Sequence, residues 1–135
     1  MIILDTSACV DYLKGNDEIK KCVMKQEDLI HITSITVYEV KIGLERTKRK
    51  ISKKRYDKLY KSWTEFISGM EIFPMGHKEA ELAAEIYDNL ESQGQRIDDN
   101  DILIAGIMLA NGIKKLITKN VNHFERIKDI EIIRY

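Results

Sequence analysis

Four carboxylates in this sequence occupy positions that a metal-dependent enzyme would use. Asp5 directly follows a short apolar run, and Glu39 lies about one turn into a predicted helix. Asp98 and Asp101 stand three residues apart at the start of a later helix, so they can share one helical face. Carboxylates that converge repel one another unless a cation joins them, and oxygen ligands favour Mg²⁺ or Mn²⁺ over zinc.

A metal ion held by such carboxylates can support the hydrolysis of phosphodiester bonds. It lowers the pKa of a bound water and stabilises the charge that develops on a phosphate during in-line attack. Asn120 follows another predicted strand and can orient a metal-bound water by hydrogen bonding. These residue types therefore indicate a metal-dependent nuclease that needs no covalent nucleophile.

Each of these residues also has an ordinary structural explanation. An Asp, Ser or Thr at a helix start usually caps the helix, and for Asp98, Asp99 and Thr6 both interpretations stay open. Glu39 could be a solvent-facing residue of its helix. Asp5 is harder to explain in this way because it directly follows a strand that is predicted to be buried.

The elements that must position these residues alternate between short apolar strands and helices. The predicted strands cover residues 2–4, 29–32, 72–73, 116–118 and 130–133. The predicted helices cover 8–14, 34–44, 52–67, 77–92 and 102–110, and a polar stretch joins the first helix to the second strand. This alternation predicts one α/β domain over residues 1–135, with a parallel sheet of about five strands covered on both faces. Ligands of such sheets bind beyond the carboxyl ends of the strands, where the strand order reverses, so we expect the acidic residues to converge there.

Charge is balanced overall, with 22 basic and 22 acidic residues, but it is unevenly placed. Residues 46–61 are strongly basic, and two interpretations stay open: a track for a phosphate backbone, or a solvated helix face. The aromatic residues of 56–67 recur at helical spacing, which favours packing in a core or interface over base stacking.

Cysteine usage and hydropathy indicate a cytoplasmic protein. Cys9 and Cys22 show no metal-binding spacing, and we expect free thiols in a reducing compartment. No apolar run is long enough to span a bilayer, and the apolar start at residues 1–4 is too short for a signal peptide.

Four blocks of the sequence resemble the conserved blocks of PIN domains, in the same order and over nearly the whole chain. The first is Met1-Ile-Ile-Leu-Asp5-Thr6-Ser7, which resembles the strand that delivers the first catalytic Asp. The others are Ser34-Ile-Thr-Val-Tyr-Glu39-Val-Lys-Ile-Gly43, Asn100-Asp101-Ile-Leu-Ile-Ala105-Gly106 and Leu116-Ile-Thr118-Lys-Asn120-Val-Asn-His-Phe124. Each block alone is a weak signal, and the four in register are fairly specific.

The resemblance implies a PIN-like three-layer α/β/α fold and a Mg²⁺-dependent endoribonuclease, with Mn²⁺ as a possible substitute. Small single-domain proteins of this kind are similar to VapC-type toxins, which implies a homodimer and a cognate antitoxin. It also implies metal-binding roles for Asp5 and Asp101, an acidic site role for Glu39, a hydroxyl role for Thr118, and support of the first Asp by Thr6. Combined with the predicted convergence, this gives the hypothesis that Asp5 and Asp101 hold Mg²⁺, Asp98 assists, Glu39 binds or deprotonates the attacking water, and Asn120 positions it.

The last block departs from the pattern of the family. Many members have an acid at the position of Asn120 or of His123, and here both residues are uncharged at neutral pH. Asp98 can offset the loss because it is one turn from Asp101. The three histidines are scattered without ligand spacing, and we assign no catalytic role to His123. A catalytically weak or inactive PIN-like module that binds RNA or protein therefore stays open as the alternative.

Two phosphoryl-transfer folds with similar sheets are excluded by single residues. A haloacid-dehalogenase-type phosphatase needs a second Asp two residues after the first, where this sequence has Ser7. A receiver domain needs an acceptor Asp at the end of its third strand, where this sequence reads Ile72-Phe73-Pro74.

Overall fold

The computed structural model describes all residues 1–135 and contains five strands and seven helices. The strands are β1 (Ile2–Leu4), β2 (Ile30–Thr33), β3 (Ile72–Phe73), β4 (Lys115–Ile117) and β5 (Glu131–Ile133). The helices are α1 (Thr6–Leu13), α2 (Asp17–Met24), α3 (Ser34–Lys48), α4 (Lys53–Ile67), α5 (His77–Ser92), α6 (Asp99–Ala110) and α7 (Val121–Phe124). None of these helices is long and apolar enough to cross a membrane.

The strands form one fully parallel sheet in the order β3-β2-β1-β4-β5. The chain builds outward from β1 through β2 to β3, then returns to the other side of β1 to add β4 and β5. The strand order therefore reverses between β1 and β4, where Ile3 is paired with Leu116. The predicted parallel sheet of about five strands is confirmed, and its switch point lies at the carboxyl ends of β1 and β4.

Two apolar cores cover the two faces of the sheet, because successive strand residues point to opposite sides. Ile2 and Leu4 of β1 pack against α1, α2, α3 and α4 on one face. Ile3, between them, packs on the other face against α5 and α6. The fold is therefore the three-layer α/β/α arrangement that the resemblance implied.

Helix α6 is buried almost all round and lies against α5 at very short range. A Cβ atom added to Gly106 of α6 would meet the Cβ of Ala83 at 2.6 Å and its backbone nitrogen at 2.9 Å. Only glycine lets the two helices approach this closely. This contact fixes the position of α6, whose first turn carries Asp101.

Two short helices were not predicted from the sequence. Helix α2 falls in the stretch expected to be a polar connection, and it begins after Asn16, whose side chain accepts from the backbone N–H groups of Glu18 and Ile19. Its buried stripe consists of only Ile19 and Cys22, which is too narrow to recognise as an apolar pattern. Helix α7 has a single turn.

The predicted packing of the aromatic stripe and the predicted free thiols agree with the structure. The aromatic stripe of α4 packs in the core, where Tyr56 and Trp63 are buried. Phe66 of the same helix stacks on Tyr12 with ring centroids 4.0 Å apart. Both cysteines are free thiols in buried positions.

Candidate active site

Asp5 lies at the carboxyl end of β1 and is the most tightly held of the predicted site residues. It is 1% exposed. Its Oδ1 accepts hydrogen bonds from the Ala8 backbone N–H at 2.9 Å and the Ser7 hydroxyl at 2.8 Å. Its Oδ2 accepts from the Thr118 hydroxyl at 2.6 Å. Asp5 therefore caps α1 and also joins β1 to the end of β4, so its carboxylate has a fixed orientation.

Burial disfavours the charged form of the Asp5 carboxylate. It raises the pKa of Asp5 from its ordinary value of 3.8 to about 6, although the hydrogen bonds from Thr118, Ala8 and Ser7 oppose the shift. The nearby carboxylate of Asp101 raises this pKa further. A divalent cation at this position would stabilise the charged form of both side chains.

Glu39 reaches the same region from α3. Its Oε1 accepts a hydrogen bond of 2.6 Å from the Thr6 hydroxyl, which also lies 3.2 Å from the Thr36 hydroxyl. The resemblance implied that Thr6 supports Asp5, and the structure corrects this point, because Thr6 bonds Glu39 and Ser7 bonds Asp5. Thr6 and Ser7 are adjacent at the start of α1, so their side chains diverge toward different carboxylates.

The third corner combines Asp98, Asp101 and His123. Nδ1 of His123 lies 2.6 Å from Oδ2 of Asp101. One ligand atom from each of the three side chains lies within 4.8 Å of the others, which is a separation that a single cation can bridge. Asp98 is the N-cap residue of α6 but makes no side-chain capping bond, so capping does not explain this carboxylate.

His123 is the residue that sequence reasoning missed. The sequence gives it no catalytic role because the three histidines are scattered and no pair of them has ligand spacing. The signal that could have found it is its place in the closing block, where many PIN domains have an acid. The short helix α7 turns His123 toward Asp101 of α6, although the two are 22 residues apart.

Burial also raises the pKa of Asp101, and the contact with His123 opposes that shift. The carboxylates of Asp98 and Glu39 raise the pKa of Asp101 further. The acidic residues from α3 and α6 are therefore close enough to influence one another, as the sequence pattern predicted.

The end of β4 supplies the remaining polar groups. The Thr118 hydroxyl donates to Asp5 and accepts from the Asn120 backbone N–H at 2.9 Å. The backbone N–H of Lys119 donates to the Ser7 hydroxyl oxygen at 3.1 Å. These bonds hold the segment after β4 against the start of α1, with the Asn120 side chain free of a capping bond.

A strongly polar cavity of about 790 Å³ opens over these groups. Its wall includes Thr6, Glu39, Asp98, Asp101, Lys119 and Asn120. Asp5 and Thr118 are buried behind this wall; Asp5 is connected to it through Ser7, and Thr118 through the Asn120 backbone N–H. The structure thus brings every predicted site residue to the carboxyl edge of β1 and β4.

Comparison with known proteins gives the same family as the sequence blocks. The family model of the PIN domain matches residues 2–130. Ribonuclease VapC2 of Rickettsia felis is 30% identical over 135 residues, which cover 95% of this chain and 92% of that protein.

Solved structures with the same fold come from toxin–antitoxin complexes. VapBC2 from Rickettsia felis, bound to a DNA fragment from its promoter, matches with a TM-score of 0.83 and 27% identity over 100% of this chain and 99% of that chain. DNA-bound VapBC from Salmonella typhimurium matches with a TM-score of 0.83 and 26% identity over 98% and 96% of the chains. The chain therefore belongs to the PIN domain family, among its VapC-type members.

Proposed function

We propose that this protein is a Mg²⁺-dependent endoribonuclease and the toxin of a type II toxin–antitoxin pair. The observation that carries the proposal is the convergence of Glu39, Asp98 and Asp101 on one polar cavity, with Asp5 buried directly behind its wall, at the switch point of the sheet. Carboxylates in such proximity disfavour one another's charge, and a divalent cation relieves that repulsion. The similarity to a ribonuclease over nearly the whole chain supports RNA as the substrate.

The donor set fits a divalent cation. Carboxylate oxygens of Asp101 and Asp98 and an imidazole nitrogen of His123 lie within 4.8 Å of one another, and Asp5 approaches from β1. Mg²⁺ takes oxygen ligands and retains several waters, and Mn²⁺ accepts both oxygen and imidazole nitrogen. When bound, the metal supplies a water of lowered pKa and charge stabilisation for the phosphate under attack.

The residues of this chain would bind the cation, accept a proton and orient the attacking water. Asp5 and Asp101 hold the cation, and Asp98 assists from the first turn of α6. The bond from Thr6 fixes one oxygen of Glu39, so the other oxygen can accept a proton from the attacking water. Asn120 lines the cavity and can orient that water by hydrogen bonding.

The partners follow from the relatives. The similar structures are complexes of a VapC-type protein with its VapB-type partner. We therefore propose that a cognate antitoxin binds this chain and that the toxin acts as a homodimer in the cytoplasm.

The decisive experiment is a cleavage assay on purified protein with single-stranded RNA, in Mg²⁺ and in EDTA. Wild-type protein should cleave only with the metal, and Asp5→Asn should abolish cleavage. Asp57→Asn is the matched control, because Asp57 is exposed on α4. Cleavage by the Asp5→Asn variant at the wild-type rate would defeat the proposal.

A second candidate function is an inactive PIN-like module that binds RNA or protein. It is favoured by Asn120 and His123, which leave the end of β4 and α7 without the acid that many relatives have there. Under this alternative the protein binds RNA or its partner equally well with and without Mg²⁺, and no cleavage occurs. Growth arrest on expression that is relieved by Asp5→Asn would exclude it.

A further inference from the structure

Two cations line the acidic cavity, and their surroundings differ. The guanidinium of Arg96 lies over the ring of Tyr87 at 5.5 Å and has its Nε 4.0 Å from Glu91, so it is engaged by α5. The ammonium of Lys119 lies 3.2 Å from Oδ2 of Asp11, which is itself part of the cavity wall. Lys119 is therefore the cation whose ion-pair partner also lines the cavity.

Asp11 is held in place by Tyr135. The Tyr135 hydroxyl donates a 2.8 Å hydrogen bond to the same Oδ2 that pairs with Lys119. The Asp11 side chain is 14% exposed, so the pair is largely shielded on the Asp11 side. Burial and the neighbouring Asp11 raise the pKa of Tyr135, which therefore stays a hydrogen-bond donor at neutral pH.

The backbone of Lys119 is also connected to Asp5, one of the proposed metal ligands. Its N–H donates to the Ser7 hydroxyl oxygen, and Ser7 in turn donates to Asp5. Its neighbour Thr118 donates to the other oxygen of Asp5 at 2.6 Å. The start of the Lys119 side chain is thus fixed relative to Asp5, and its end is fixed by Asp11.

We propose that Lys119 binds a non-bridging phosphate oxygen of the RNA, and that Asp11 and Tyr135 are positioning residues that hold its ammonium group at the cavity. This inference rests on the proposed ribonuclease function. An ammonium group has three donors, and one directed at Asp11 leaves two for a phosphate. The Lys119 side chain is 65% exposed, so these donors are accessible to a ligand.

Charge explains why such a residue is needed. The cavity wall carries the carboxylates of Asp11, Glu39, Asp98, Asp99 and Asp101, and a phosphodiester that enters it is repelled. A divalent cation bound by Asp5, Asp98 and Asp101 would offset part of that repulsion. Lys119 offsets it beside α1, where it pairs with Asp11, and directs the backbone of the RNA across the cavity.

Binding can be measured without cleavage by using a short fluorescein-labelled single-stranded RNA in EDTA. Lys119→Ala should weaken binding about tenfold and should reduce the slope of log affinity against log salt by about 0.7, the value for one phosphate contact on a single strand. Lys119→Arg should keep most of the affinity because it keeps the charge. Lys114→Ala is the matched control, since Lys114 is exposed just before β4, at the opposite end of that strand.

The positioning role has its own signature in the cleavage assay. Tyr135→Phe should raise KM more than it lowers kcat, because Tyr135 acts on substrate binding. The effect of Tyr135→Phe should disappear when Lys119 is already alanine, since a positioning residue has nothing left to position. A purely structural role for Tyr135 predicts the same loss in both backgrounds.

The outcomes separate this inference from the proposed function. If the wild type cleaves RNA and Lys119→Ala matches Lys114→Ala in affinity and salt slope, the inference is wrong and the ribonuclease function stands. If Tyr135→Phe has the same effect with and without Lys119, the positioning role is wrong. If the wild type neither binds nor cleaves RNA, the proposed function and this inference are both overturned.

Discussion

Oδ2 of Asp101 lies 2.6 Å from Nδ1 of His123, so an imidazole stands beside the carboxylate that we propose as a metal ligand, in the block where many PIN domains have an acid. This nitrogen changes the chemistry of the site. Imidazole suits transition metals better than it suits Mg²⁺, whereas an all-carboxylate set suits Mg²⁺.

The first prediction concerns metal preference. We expect wild-type protein to bind Mn²⁺ at least about tenfold more tightly than Mg²⁺, and we expect His123→Asp to reduce that ratio. Calorimetric titration of each metal gives the two affinities. His77→Asp is the control, because His77 is exposed at the start of α5, and an unchanged ratio in His123→Asp would show that His123 is not a ligand.

The second prediction concerns Asp5 and pH. The folded protein raises the pKa of Asp5 from 3.8 to about 6, so the folded state binds its proton more tightly than the unfolded chain does. Stability in the absence of metal should therefore fall as the pH rises between these two values, by about 3 kcal/mol at most, and stay low above them. Asp5→Asn should then raise the free energy of unfolding at pH 7 and lose this advantage at about pH 4.

Urea unfolding in EDTA at a series of pH values measures this effect. Asn can still accept from Ser7 and Ala8 through its carbonyl oxygen, which keeps the capping bond of α1. Added Mg²⁺ should stabilise the wild type and leave Asp5→Asn unchanged. A loss of stability in the variant at pH 7 would contradict the argument.

The third prediction concerns the bond between Thr6 and Glu39. Thr6→Val removes the hydroxyl that fixes Oε1 of Glu39 while keeping the shape of the side chain. We expect kcat to fall about tenfold with little change in KM, as is typical of residues that orient a functional group. Thr47→Val, in the last turn of α3, removes a hydroxyl that bonds only the Gly43 carbonyl, and it should leave both constants unchanged.

The fourth prediction tests the packing that places α6. Gly106→Ala would put a Cβ 2.6 Å from that of Ala83, and overpacking of this kind costs about 1–3 kcal/mol. Gly43→Ala, in the exposed part of α3 with no atom within 4 Å of the new Cβ, should instead stabilise by about 0.5–1 kcal/mol. If the two variants change the free energy of unfolding equally in denaturant, the close approach of α5 and α6 does not require glycine at position 106.

The fifth prediction concerns the basic segment of residues 46–61. Its residues Lys53, Lys54 and Arg55 are exposed at the start of α4, outside the wall of the acidic cavity. If the segment is an RNA track, neutralising these three residues weakens binding and flattens its salt dependence. If binding and salt dependence are unchanged, the segment is a solvated helix face.

Much of the fold could be predicted from the sequence because the sheet is buried on both faces. Each strand carries a short group of apolar residues, and the helices α4 and α5 repeat apolar residues at helical spacing. Helix α2 escaped prediction because it buries only Ile19 and Cys22. The short helix α7 could not be recognised either, since four residues carry no periodicity.

The sequence predicts those site residues that can be recognised from residue type and from their position near the end of a strand. Asp5, Glu39 and Asp101 follow from carboxylates placed near strand ends. The partner of each hydroxyl did not follow, because Thr6 and Ser7 are adjacent and only the turn into α1 directs them to different carboxylates. His123 and Lys119 depend on contacts across the fold, with Asp101 and with Asp11, which no local pattern contains.

The pairing of β1 with β4 has a consequence for the timing of activity during synthesis. β1 is synthesised well before β4, which is one of its two neighbours in the sheet, and the bond from Thr118 to Asp5 spans 113 residues. Until that segment emerges, Asp5 lacks its fixed orientation and the cavity lacks one wall. The proposed site is therefore complete only after β4 and Thr118 have been synthesised.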